Sequence, residues 1–210
     1  MFRHHLNFRP LLLTAILLTV ALHANSEQAT DASEQFLNGT QRGRVVLNYL
    51  RCSDLDCVEA LKRVVELGPD VVRPLLDLLT RPVPQMIAPD LSKDKLTLIV
   101  QTRVINALGK LRDERAVEVL ANMTYDKSPQ IRAASTEALG EIANDRAVPA
   151  LIARLEDDDQ LVRETTARTL GKLQRRESLN ALYSAARIEK VPHVRQAMEA
   201  AIKSIELRHP

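Results

Sequence analysis

Gly109, Gly140 and Gly171 stand 31 residues apart, each preceded by a leucine (Leu108, Leu139, Leu170), and another leucine follows each glycine eleven residues later (Leu120, Leu151, Leu182). A chain that repeats itself at such a period folds as an array of supersecondary units, because one unit cannot bury its apolar face alone and must pack on its neighbour. Within one period the spacing is helical. Ile131, Ala134, Ser135, Ala138, Leu139 and Ile142 fall at steps of three and four and so share one helix face. Residues 143–145 (Ala-Asn-Asp) interrupt, and Val148, Leu151, Ile152 and Leu155 then form a second stripe of the same kind. Each unit therefore reads as a longer helix, a tight turn and a shorter helix. No stretch alternates apolar and polar residues over strand length, so the expected fold class is all-α. The glycines sit near the end of the longer helix, where each costs about 1 kcal/mol in helix propensity; a close approach of two backbones accounts for them.

The copies are IRAASTEALGEI (131–142) and VRETTARTLGKL (162–173), with a looser VQTRVINALGKL (100–111) before and VRQAMEAAIKSI (194–205) after. With DRAVPAL (145–151) and the acidic residues that follow it, this pattern resembles the short HEAT-like repeats of the bilin lyase type. A degenerate copy, ALKRVVELGPDVVRPLLDLL (60–79), extends the array toward the N-terminus. The resemblance implies a right-handed α-solenoid of stacked helical hairpins, a HEAT/ARM-type superhelix of about four to five repeats covering residues 54–206, with capping helices within 33–51. The connection over 81–93, RPVPQMIAPDLSK, breaks the pattern: Pro82, Pro84 and Pro89 forbid regular helix there. It reads either as a tolerated insertion or as a loop that binds something.

The N-terminus belongs to a different class of segment. Residues 1–10 carry Arg3 and Arg9 without an acid, and an uncharged, mostly apolar run follows from Leu11 to Leu22. That run is shorter than the roughly 20 residues a membrane-spanning helix needs, and it fits the apolar centre of a secretory signal. The expected division is a signal peptide over 1–24, cut after Ala24 or alternatively after Ser26, a polar linker over 25–35, and the solenoid over 36–207. The expected location is the periplasm or the extracellular space; the alternative is an uncleaved membrane anchor. Removing residues 1–24 takes two of the 29 basic residues and none of the 27 acidic ones, which leaves 27 of each. A neutral surface with Phe36, Tyr49, Tyr125 and Tyr183 as its aromatics is poorly suited to phosphate neutralisation or base stacking, so nucleic acid is excluded as a partner. No stable membrane insertion is expected once the signal is cut.

Cys52 and Cys57 flank Ser-Asp-Leu-Asp. With Ser53 or Asp54 as the N-cap of a new helix, the pair straddles a turn, where a bridge is feasible and suits an exported protein. The spacing is neither a redox Cys-x-x-Cys nor part of a zinc ligand set. Catalytic, cofactor-binding and metal-ligating residues are all expected to be absent. The chain beyond Ala24 keeps His193 and His209 as its histidines, and it contains neither a P-loop nor a Gly-x-Gly-x-x-Gly motif.

An acid precedes an arginine by six residues in three successive units: Asp126 and Arg132, Asp157 and Arg163, Glu189 and Arg195. Such a column lets charges pair within and between units, and the HEAT resemblance implies a structural ladder. The resemblance also implies that the second helices line the concave side. On the phasing above, that puts Arg73, Glu118, Pro149 and Asn180 in one row and Asp77, Asn122, Ala153 and Ser184 in the next. Arg73, Asp77, Glu118, Asn122, Asn180 and Ser184 are the candidate partner-binding residues, suited to a peptide or a protein surface. The function expected is a non-catalytic, exported binding or scaffold protein of the cell envelope. Two alternatives stand beside it: an accessory factor for cofactor attachment or maturation, which the export signal and scarce aromatics weaken, and an inhibitor or assembly factor of an envelope enzyme.

Overall fold

The computed structural model describes residues 35–52 and 56–209. The expected signal segment and the two candidate N-caps, Ser53 and Asp54, lie outside the described residues. The helices are α1 (35–39), α2 (Gln41–Arg51), α3 (Asp56–Glu66), α4 (Val72–Thr80), α5 (Lys93–Leu111), α6 (Val117–Met123), α7 (Pro129–Ile142), α8 (Val148–Ala153), α9 (Gln160–Leu173), α10 (Leu179–Ile188) and α11 (Pro192–Arg208). The described residues contain no strand. The fold is an all-α solenoid. All six leucines of the glycine register, Leu108, Leu120, Leu139, Leu151, Leu170 and Leu182, are fully buried.

The hairpins are phased differently from the sequence reading. Each short helix packs along the long helix that follows it, giving pairs α4/α5, α6/α7, α8/α9 and α10/α11, with α2/α3 at the N-terminal end. The long helix does not fold back onto the short helix after it. It ends in a left-handed residue (Arg112 φ 54°, Ala143 φ 58°, Gln174 φ 54°) followed by a 3-10 turn (Glu114–Ala116, Asp145–Ala147, Arg176–Ser178), and that combination sends the chain on to the next layer.

The long helices α5, α7, α9 and α11 stack directly on one another, whereas α4, α6 and α10 meet the neighbouring layer mainly through its 3-10 turns. A Cβ placed on Gly109 would lie 2.9 Å from Ala138 Cα, one on Gly140 would lie 2.6 Å from Thr169 Cγ2, and one on Gly171 would lie 3.0 Å from Ala201 Cα. The backbone approach that the glycines announce is therefore present at Gly109 and Gly171, while at Gly140 the near neighbour is a side-chain methyl. The long helices therefore form the closely stacked row of the array and the short helices the looser one.

The left-handed caps carry a testable consequence. A non-glycine residue in this region costs about 1–2 kcal/mol, which glycine does not incur. Ala143 uses its side chain for nothing that offsets this strain. Gln174 does: its amide donates to Ser204 Oγ at 3.0 Å, and its Oε1 accepts from Arg208 at 2.9 Å. Ala143→Gly should raise stability by roughly 0.5–1 kcal/mol in urea melts, and Gln174→Gly should gain less or lose. Equal gains at both positions would contradict this account.

At the C-terminal end the pattern changes in the way a terminal cap requires. The outward positions held by fully buried Ile105, Thr136 and Ala167 in the internal layers are occupied by exposed Glu199, and the glycine register by exposed Lys203.

Candidate functional site

The six residues proposed from sequence sit on α4, α6 and α10, the row that is spread apart. Arg73 is exposed and its Nε lies 3.5 Å from Asp77, which Arg81 also approaches at 3.9 Å. Glu118, Asn122, Asn180 and Ser184 are exposed. Once the hairpins are phased short helix first, the second helices are the long ones.

On the long helices, positions related by the repeat form columns across the stacked row. One runs Asn106, Glu137, Arg168, and a second runs Lys110, Glu141, Lys172. Their signal in the sequence was the same 31-residue register, read at its polar positions instead of its apolar ones. Lys110 Nζ reaches Glu141 at 3.1 Å and Arg112 reaches it at 3.4 Å. The hydrogen bond from Lys110, opposed by partial burial and assisted by Arg112, holds the Glu141 carboxyl below its ordinary value. Two layers on, Arg168 pairs with Glu164 at 2.6 Å, and His193 Nε2 stands 3.7 Å from the same carboxylate. Between α9 and α11 the face opens into a shallow cleft of about 690 Å³. Gly171, Ala197, Ala200 and Ala201 form its small-residue floor, and Arg168, Lys172, Gln196 and Ser204 stand around it.

The acid and arginine column is a buried ladder between layers. The Arg132 guanidinium grips Asp157 of the next hairpin with two bonds, at 2.6 and 2.8 Å, and donates to the Asp126 carbonyl of its own turn at 3.0 Å. Arg163 repeats this with Glu189, at 2.6 and 3.1 Å, and with the Asp157 carbonyl at 2.8 Å. The Asp157 side chain is 2% exposed and is also approached by Arg154 at 3.3 Å, whose guanidinium lies 4.1 Å above the Tyr125 ring. Burial pushes the Asp157 carboxyl up, but the bonds from Arg132 and the Asp159 amide, with the charges of Arg132 and Arg154, outweigh it and the group titrates below its usual value. Glu189 is lowered as well, by the Arg163 bond first, against burial and with help from the Val191 amide. Asp126 caps its own turn, accepting from the Ser128 amide at 2.8 Å, while Arg195 is exposed at the end of the column.

At the N-terminal end Cys52, the C-cap of α2, is bonded to Cys57 in α3, with Cα atoms 5.2 Å apart. Arg103 donates to the Cys52 carbonyl at 2.7 Å and to that of Leu50, and Tyr49 Oη donates to the Arg103 carbonyl at 3.0 Å. The proline-rich connection is tied down here. Ile87 is buried, Arg51 donates to its carbonyl at 2.9 Å, and Gln85 donates across the loop to the Leu91 carbonyl at 3.0 Å. These contacts make residues 81–92 part of the cap's packing.

Residues 118–203 match the family model for HEAT repeats, and residues 100–126 match the model for the PBS lyase HEAT-like repeat. No curated protein matches the chain. Among solved structures, one engineered protein superposes with a TM-score of 0.50 at 19% identity, over 85% of this chain and 47% of its own, so this chain spans about half of it. A second engineered protein gives 0.47 at 18% identity, over 85% of this chain and 79% of its own. A designed armadillo repeat protein in complex with the peptide (KR)4 gives 0.48 at 15% identity, over 95% of each chain.

Proposed function

Because the chain belongs to the HEAT-repeat family, whose units offer a continuous surface, we propose that it is a non-catalytic adapter of the cell envelope that holds another protein or a peptide on the inner face of its long helices. The observation that carries this reading is the contrast between the two rows. The short-helix row is spread apart and its polar residues do not converge, whereas the long helices stack closely enough for Asn106, Glu137, Arg168 and Lys172 to form one surface with an open cleft. A continuous row of stacked helices is the surface a solenoid offers a partner. The mixed signs along it favour a specific polar partner over a lipid surface or an apolar ligand.

The reading separates into two measurements. In-cell cross-linking is run with the native chain, with an outer-row variant (Asp77→Arg, Glu118→Arg) and with an inner-row variant (Glu137→Arg, Arg168→Glu). The adapter reading expects one cross-linked protein that survives the first variant and is lost with the second; loss with the first alone moves the interface to the short helices. Export is tested by fractionation and N-terminal sequencing, which should give a mature start at Asn25 or Glu27. A cytosolic chain that still begins at Met1 would sink the envelope assignment.

A further inference from the structure

Resting on the inner-face reading, we propose that the cleft between α9 and α11 takes an extended acidic peptide segment. The two layers are unequal in charge compensation. Lys110 finds Glu141 in the following long helix, but the residue at the corresponding place after Lys172 is Ser204, with the one-residue insertion before α11 taken into account. Lys172 is exposed and has no carboxylate partner among the described residues. One turn before it stands Arg168, whose side chain is 67% exposed although Glu164 pairs with it. Glu164 is committed to Arg168 at 2.6 Å, with His193 Nε2 standing 3.7 Å from its other oxygen. The rim of the cleft is therefore cationic, with its one acid already engaged.

The floor suits a backbone. Gly171 and Ala201 close against each other beneath it, the short side chains of Ala197 and exposed Ala200 leave room for a main chain to lie close, and Gln196 and Ser204 supply side-chain donors and acceptors at its edge. Gln174, fixed by Ser204 and Arg208, closes one end. From Glu164 to Gln174 the helix rises about 15 Å, enough for four to five extended residues at about 3.3 Å each. The pairing is solvent-exposed, so binding is modest and falls with added salt.

Fluorescence anisotropy on the full chain tests this with three labelled hexapeptides of one design, bearing glutamate, glutamine or lysine at the charged positions. The glutamate peptide should bind about tenfold tighter than the glutamine one, and the lysine peptide weakest. Lys172→Glu should cost the glutamate peptide about tenfold, Ala200→Phe should abolish binding by filling the floor, and Glu118→Arg on the outer row should leave it unchanged. Binding insensitive to peptide charge or to Lys172→Glu overturns the proposal, as does displacement of the peptide by inorganic phosphate, which marks a free-anion site. The parent reading fails separately. If no peptide binds but Ala200→Phe abolishes in-cell cross-linking, the inner face remains the interface and only its acidic ligand is wrong; if cross-linking survives Ala200→Phe, this stretch of the face is not the interface.

Discussion

Asp157→Asn lowers the stability of the array by about 3–5 kcal/mol at neutral pH, the cost of removing one partner from a buried ion pair. The cost is large because three cationic contacts converge on one carboxylate that is 2% exposed: two bonds from Arg132 and one from Arg154. An amide presents hydrogen-bond donors to guanidinium donors and leaves two desolvated cations without a counter-charge. The pH dependence distinguishes this from a packing defect. The Asp157 carboxyl titrates lower in the folded than in the unfolded chain, where it lies near about 3.9. Its contribution is therefore complete above that unfolded value and is lost as pH falls through the lower folded one. Urea melts of the two proteins should differ by a constant amount from pH 7 to pH 5, and the gap should close as the pH is taken below 4. A gap under about 1 kcal/mol at pH 7, or one that persists in acid, would refute the account. Glu189 follows the same sign with Arg163, so its removal should add an acid-sensitive loss one layer further on.

Gly109→Ala loses roughly 1–2 kcal/mol, against the sign that helix propensity alone predicts. Alanine gains about 1 kcal/mol in a helix interior, whereas overpacking a close-packed contact costs typically 1–3 kcal/mol. At Gly109 the added methyl meets Ala138 Cα and Cβ, both at 2.9 Å. Neither atom can rotate away, so α5 and α7 must separate along the inner row. Gly140→Ala is the internal control. Its methyl meets Thr169 Cγ2, a side-chain tip that yields by a rotamer change, and the Thr169 Cβ at 3.5 Å is ordinary contact. That substitution should fall within about 1 kcal/mol of neutral. At roughly 2–4 °C per kcal/mol for a chain of this size, thermal melts resolve the two, and equal shifts would mean that backbone contact is not what the glycines provide.

The fold was legible in the sequence because its determinants are local and recur. Leu108, Leu139 and Leu170 mark one buried seam, and the same seam reappears at Leu120, Leu151 and Leu182 after each turn. The glycine register gave the closest contact between layers for the same reason. The proposed surface was less legible. Deciding which helices pair required knowing where the chain reverses. Both connections read as tight polar turns, and the difference lies in the left-handed conformations of Arg112, Ala143 and Gln174, which carry side chains where glycine is the usual marker. Pairing the helices across the other turn made α4, α6 and α10 the second helices and so made Arg73, Asp77, Glu118, Asn122, Asn180 and Ser184 the candidate surface, whereas each of those helices packs on the long helix that follows it.

The sequence by itself determined the all-helical class, the repeat length and the residues that fill the seams, because apolar periodicity and burial are tied position by position. Tertiary structure alone decided which carboxylate each arginine of the ladder holds. Arg132 bypasses the side chain of Asp126, six residues away, and takes Asp157 of the next hairpin. Ladder pairing is set by the distance between layers, a quantity that depends on how the helices stack and that no single segment of the chain encodes.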